Sequence, residues 1–371
     1  MLGVLNDYCQ LAIIKYLNLS DQLALSEASE NNWKSININL ISTWKQQSRI
    51  KLSSKNCETL KNNRSLLSIF LSSISVKVEQ MKLERAPIEF LKICENYSLP
   101  RVQILSYTLD DFRIAVQAQK ILTNIFPGVC CVKPDKHFCY CLLPKWRQFR
   151  KLVIRKFVRA NDPTHHCALP QSRLIEELVA PDFYILGHYF DRCMYLPKLR
   201  TITICLLDTY EETTNPIYRP LYIFKFLTKY GVTEDKIGGL MLERVWCFES
   251  NLCDVVKSLR NLVRLGLDRR SCSNEKSLWK IVAKRPSLEI LDITSMNLGR
   301  HFFSTNRHQM NRTMHNRNAH LTVIYANNGK NEELIRRHFT HPQLQLISGH
   351  KKPKNVLGPI IKLELTPLYE T

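Results

Sequence analysis

Glycine is scarce in this chain, with eleven in 371 residues. Nucleotide binders need glycine where backbone closes on phosphate, and no Gly-rich phosphate loop is present. Neither G-x-S-x-G nor H-E-x-x-H occurs, which removes the nucleophile elbow and the helical zinc-protease site. Cysteines and histidines are numerous, yet no local pattern orients a nucleophile against a base. The chain therefore reads as a non-enzyme without catalytic residues, cofactor or metal. No apolar run approaches the ~20 residues of a membrane-spanning helix. The opening "MLGVLNDYC" lacks the basic and apolar regions of a signal peptide. A cytoplasmic and/or nuclear protein is expected, with its thirteen cysteines reduced and mostly serving as small buried hydrophobes.

Acidic residues are also few: 33 against 53 basic ones, for a net charge of +20. Such an excess favours an acidic partner or simply aids solubility. The imbalance is not uniform. Residues 1–48 hold three basic and four acidic residues, for −1, and the remaining 323 hold 50 and 29, for +21. Two stretches are densest. Residues 145–159, "KWRQFRKLVIRKFVR", carry seven cations and no acid, and residues 300–354 carry ten cations against Glu332 and Glu333. Trp146, Phe149 and Phe157 interleave with the first stretch as stacking residues would in a nucleic-acid surface. Core packing is the simpler reading, because Phe149 opens a repeat.

That repeat is apolar-x-x-apolar-x-apolar. It fits "IGGLML" from Ile237, "LVRLGL" from Leu262 and "LEILDI" from Leu288, whose starts lie 25 and 26 residues apart. Leucine-rich repeats recur every ~20–29 residues. Upstream matches begin at Val78, Val102, Phe149 and Leu199, and a weaker one, "LTVIYA", begins at Leu321. Between matches, "NLCDVVKSLRN" and "EKSLWKIVAKRPS" space their apolar residues as helices do, and Pro286 stops the second. The Asn or Cys that usually serves the turn is replaced by Val245, Arg270 and Met296. The predicted fold class is α/β: N-terminal helices over 1–48, a curved solenoid of irregular strand–helix repeats over 60–350, and a C-terminal tail over 351–371. With template residues pointing inward, Lys151, Arg155, Thr201, Thr203, Met241, Glu243, Arg264, Asp268, Ile290 and Asp292 should line the concave face. That set is mixed in sign and suits a protein substrate whose charges are matched pair by pair.

"LNDYCQLAIIKYLNLSDQLALSEASENNW", residues 5–33, reads as two short amphipathic helices. Leu11, Ile14 and Leu17 share one face, with Ile13 beside it, and Ser20 with Asp21 offers an N-cap to the second helix, which carries Leu23 and Leu25. "SININLISTWKQ" adds a third. Three short helices bury little area alone, which points to docking against a partner or capping of the first repeat. Leu5, Asp7, Ile13, Ile14, Tyr16, Leu17, Asp21, Leu23, Leu25, Trp33 and Trp44 follow the pattern of an F-box, with Asn6 where Pro is usual. The stretch resembles that module over residues 2 to about 47, and the remainder resembles the leucine-rich repeats common in F-box proteins. This resemblance implies a substrate-recognition subunit of a Skp–cullin–F-box ubiquitin ligase. Leu5, Ile13, Ile14, Leu17, Leu23, Leu25 and Trp33 would then meet a Skp-family adaptor, and the repeats would hold a protein substrate. The alternative is a basic solenoid that binds RNA, DNA or an acidic protein without a ligase role.

"CCVKPDKHFCYC" offers Cys130, Cys131, His137, Cys139 and Cys141, but structural zinc sites favour C-x₂₋₄-C pairs and these are adjacent or C-x-C. A reduced strand or loop is expected there. His165, His166 and Cys167 read as loop, and His301, His308 and His315 as a solvated face.

Overall fold

Asn6 begins the first helix, its Oδ1 accepting the Cys9 N–H at 2.9 Å. The computed structural model describes residues 5–29, 34–109, 114–134, 145–154, 174–180, 198–205, 236–245, 247, 249–296, 298–303, 308–317, 319–326, 331–349 and 360–365. The fold is mixed α/β, in two units: Met1–Ile175 and Glu176–Thr371. The expected boundary near residues 48–60 thus lies inside the first unit.

Three helices open that unit: α1 (Asp7–Tyr16), α2 (Leu19–Ser29) and α3 (Lys34–Gln46). The cap of α2 differs from expectation. Asn18 Oδ1 accepts the Asp21 N–H at 3.1 Å, while Ser20 donates its hydroxyl to Asn56 Oδ1 at 2.6 Å. A side-chain acceptor three residues before the N–H it serves fits an N-cap, and Ser20 sits too far along to do it. Trp44 of α3 is fully buried and meets Phe70 edge-on, ring centroids 5.2 Å apart.

The chain continues through β1 (Arg49–Leu52), α4 (Ser54–Asn62), α5 (Arg64–Ile74), β2 (Gln80–Leu83), α6 (Ile88–Cys94), β3 (Ile104–Tyr107), α7 (Ala115–Ile125), β4 (Cys131–Pro134) and β5 (Lys151–Val153). The five strands pair in chain order and in parallel, which long crossover connections, several of them helical, make possible. Register aligns Ile50, Met81, Leu105, Val132 and Leu152 as one buried row. Gly128 precedes β4 because nothing larger fits: a Cβ there would lie 1.9 Å from the Pro100 carbonyl oxygen.

The second unit contains β6 (Glu177–Ala180), β7 (Thr201–Cys205), β8 (Ile237–Glu243), α8 (Glu249–Ser258), β9 (Arg264–Asp268), α9 (Glu275–Ala283), β10 (Ile290–Ser295), α10 (His308–His315), β11 (Leu321–Ala326), α11 (Glu332–His338), β12 (Leu344–Gly349) and β13 (Ile360–Leu365). The expected helices over 251–261 and 275–287 correspond to α8 and α9; Asn274 caps α9 through the Ser277 N–H at 2.9 Å. In β11 the inward residues are Leu321, Val323 and Tyr325, with Ile324 turned to the other face. Period-2 geometry makes a one-residue shift of the template a change of side.

The tail expectation is corrected by β13. Residues 360–365 lie antiparallel between β7 and β8, with Leu363 opposite both Ile202 and Leu240. The strands that would be neighbours in an uninterrupted parallel array are thereby separated. Ile361 and Leu363 are buried, and β13 satisfies backbone groups of two strands at once. Ending the chain after residue 359 should expose both edges and remove about 2 kcal/mol per lost apolar side chain. We expect rapid proteolysis within 198–243 in the shortened chain, with cleavage after residue 260 lagging; unchanged digestion kinetics would show that β13 contributes nothing to that region's stability.

Candidate functional site

The interior between α1, α2 and α3 mixes the apolar Ile14, Leu23, Ile36, Leu40 and Trp44 with polar side chains. Gln10, Gln22 and Asn39 are all buried. Gln22 Nε2 donates to the Ile14 and Leu17 carbonyls at 3.1 and 3.0 Å, closing the C-terminus of α1, while its Oε1 accepts the Trp44 indole N–H at 2.8 Å. Asn39 Nδ2 donates to Gln10 Oε1 at 2.9 Å, and Gln10 Nε2 donates to the Leu5 carbonyl at 2.9 Å. Buried amides saturated in this way give the helices a single relative register.

With glutamine and asparagine inside, much of the apolar surface of α1 lies outside. At 100° per residue, Tyr8, Cys9, Ala12, Ile13 and Tyr16 fall on one arc opposite Gln10 and Ile14. All five are exposed: Tyr8 at 85%, Tyr16 at 92% and Ile13 at 38%. Leu5, just before the helix, is exposed as well. An apolar helix face is normally covered. Here one side faces solvent.

The expected adaptor set divides accordingly. Leu5 and Ile13 lie on the outer surface, and Leu17 and Leu25 are half-buried. Ile14 and Leu23 are corrected to core residues, at 0% and 1% exposure, because they point toward the neighbouring helices. Trp33 lies outside the described residues. Tyr8 and Tyr16 were not among the expected contacts; the signal for them was the absence of polar residues opposite Gln10.

The outward faces of the strands differ between the two units. In the first unit, the outward residues Lys51, Lys82, Ser106 and Lys133 are direct register partners, and Arg49 and Lys151 flank them one row away. Glu84 pairs with Lys51 at 3.0 Å and with Lys82. The Lys82 hydrogen bond, with Lys51 beside it, holds the Glu84 carboxyl below the usual carboxylate range. This face is cationic rather than mixed. Arg155 lies outside the described residues.

In the second unit the expected concave set is only partly accessible. Thr201, Thr203, Glu243, Arg264 and Ile290 are half-buried, and β13 places Lys362 and Glu364 between the threonines and β8. The alternation in "IIKLEL" was the available signal for that strand. Met241 is buried because its side chain lies over Gly266, where a Cβ would meet Met241 Cε at 3.0 Å. Arg264 is held by Asp292 at 3.6 Å and by Glu364 at 4.0 Å. Asp268 and Asp292 are corrected from substrate contacts to buried turn acceptors. Asp268 takes the N–H groups of Arg270 at 2.9 Å and Ser271 at 3.0 Å, and also that of Arg244. Arg244 has φ of 59°, a left-handed conformation that this bond helps to hold. Asp292 takes the Thr294 N–H at 3.1 Å. These carboxylates satisfy backbone N–H groups of the turns.

Asp268→Ala should therefore lower stability by about 3 kcal/mol, since it leaves three N–H groups without their acceptor. Denaturant unfolding followed by circular dichroism measures this. A loss below about 0.5 kcal/mol would mean that water replaces the carboxylate without penalty.

Of the cysteine-rich stretch, Cys131 is buried in β4 and Cys130 is half-buried before it; His137, Cys139 and Cys141 lie outside the described residues, as do His165, His166 and Cys167. Burial pushes the Cys57, Cys94, Cys247 and Cys272 thiols up to about 12. Thiols so shifted are poor nucleophiles. Among the described residues no group of three His, Cys, Asp or Glu is placed to hold a metal ion, and no helix is long and apolar enough to cross a membrane.

Comparison with known proteins returns no match, either to a family model or to a curated sequence.

Proposed function

We propose that this chain is the substrate-recognition subunit of a Skp–cullin–F-box type ubiquitin ligase, working in the cytoplasm or nucleus. In this reading α1 and its neighbours are the F-box and dock a Skp-family adaptor. The strand–helix units, read as irregular leucine-rich repeats, hold a protein substrate. The chain itself carries no catalysis, because ubiquitin transfer belongs to the cullin–RING assembly it joins.

The observation that carries the proposal is the outer surface of α1. Leu5, Tyr8, Ile13 and Tyr16 present aromatic and aliphatic side chains on a support tied together by buried side-chain hydrogen bonds. Aromatic residues on a pre-organised surface are the usual anchors of a protein interface. Asn6, where the family has Pro, keeps the helix start by capping it. Co-expression with a Skp-family adaptor tests the reading: a stable one-to-one complex should co-purify. Failure under conditions where an established F-box protein succeeds would overturn it.

A second reading is favoured by the cationic row Lys51, Lys82 and Lys133 in the first unit. That row would suit RNA, DNA or an acidic protein without any ligase role. Nucleic-acid affinity falling steeply and linearly on a log–log plot against salt would support this reading over the first.

A further inference from the structure

A second feature of the first unit is independent of adaptor docking. Below the C-terminus of α1, between the start of α2, the end of α3, β1 and the first turn of α4, lies a cleft of about 860 Å³. Lys15, Arg49, Lys51 and Lys55 line it, and Asp21 is its one lining acid. Lys51 is engaged by Glu84 at 3.0 Å, and Asp21 accepts from Asn18 Nδ2 at 2.6 Å. Lys15, Arg49 and Lys55 have no hydrogen bond or ion pair among the described residues. Three unneutralised cations thus face one space from three different elements.

Asn56 adds a donor of a different kind. It is 5% exposed and lines the same cleft. Its Oδ1 accepts from Ser20 at 2.6 Å, which leaves the amide NH₂ with no acceptor among the described residues. An amide donor with no acceptor in the protein has an anionic oxygen as its natural complement. Cations and an amide lining one space match an oxyanion of several oxygens. The volume falls within the ~300–1,000 Å³ of small-molecule sites, far more than one inorganic ion fills.

We infer that this cleft binds a small ligand carrying clustered phosphoryl groups. Arg49 and Lys55 pair with separate phosphoryl oxygens; Lys15 adds charge from α1, and Asn56 Nδ2 donates to a further oxygen. Arg49 and Lys51 also begin the outward rows of β1, so the ligand's charge would screen the first two cations of that sheet face.

The same phosphoryl chemistry can arrive on a free metabolite or on a phosphorylated protein side chain, and the test separates them. Inorganic tripolyphosphate and a doubly phosphorylated serine peptide are titrated calorimetrically into the full chain at about 150 mM salt, where long-range attraction to a basic protein is largely screened. Because a chain of net charge +20 attracts any polyanion, the variant Arg49→Gln/Lys55→Gln is compared with Lys92→Gln/Lys120→Gln. The latter pair is exposed on α6 and α7, outside the cleft, and carries the same charge change. The cleft variant should bind tripolyphosphate at least about tenfold more weakly, since two charge-assisted contacts are lost, and the control less than about twofold. Binding of the peptide alone, with the same sensitivity, would assign the site to a phosphorylated side chain. Equal weakening in both variants, or no binding of either probe, overturns the proposal. Adaptor co-purification is indifferent to all of these outcomes, so the cleft and the docking surface stand or fall separately.

Discussion

Replacing Tyr8 and Tyr16 together with alanine is expected to weaken Skp-family adaptor binding by about 100-fold or more while leaving the thermal midpoint unchanged. Each ring is almost wholly in solvent in the free chain, so neither supports the fold. Buried at an interface, a tyrosine of this kind commonly contributes 2 kcal/mol or more. Losses at neighbouring anchors are not additive, which is why the figure is a floor set by one ring and part of the second. Ile13→Asp on the same surface should act in the same direction by placing a charge in an apolar contact. The contrasting pair is Ile14→Ala with Leu17→Ala. Ile14 is fully buried, so that variant should lose binding only because the helices loosen, and its midpoint should fall. Calorimetric titration alongside thermal unfolding separates the two. Undiminished affinity in the tyrosine variant would rule out the outer surface of α1 as the docking surface.

The second large effect is structural. Trp44→Ala should destabilise the first unit by about 4 kcal/mol, within the ~3–5 kcal/mol typical of removing a buried large aromatic. Trp44 is fully enclosed, packs edge-on against Phe70, and donates to the same Gln22 side chain that closes α1. Its loss leaves a cavity and also strips Gln22 Oε1 of its donor. Trp44→Phe keeps most of the volume and loses the indole N–H, so it should recover more than half of the deficit. Amide hydrogen exchange in α3 and α5 gives the local readout, because opening there reports this unit rather than the whole chain. If α1 and α2 exchange no faster in Trp44→Ala than in the native chain, Gln22 is not the link between Trp44 and α1.

Much of the strand–helix alternation was legible in the residues alone. The templates at Val78, Val102, Phe149, Leu199, Ile237, Leu262 and Leu288 place their apolar positions in the core without exception. A strand's in–out alternation is local geometry, so a few consecutive residues carry it. The helices over 249–258 and 275–283 were readable for the same reason. Which α1 residues face outward was not, because Gln10 turns inward against the usual polar-out pattern and its buried partner Asn39 comes from another helix. Asp268 and Asp292 looked like surface charges until the turns after β8, β9 and within β10 supplied N–H groups for them to accept.

By itself, then, the sequence determined the α/β alternation, the inward residues of most strands and the three N-terminal helices, all of which depend on neighbours a few positions apart. The tertiary structure alone decided that residues 360–365 enter the sheet between β7 and β8, that Lys15 joins Arg49 and Lys55 around one cleft, and that Tyr8 and Tyr16 remain uncovered. Each of those depends on contacts between residues far apart in the chain. Local periodicity states only that a side chain needs a partner; packing determines which one it finds, or that it finds none.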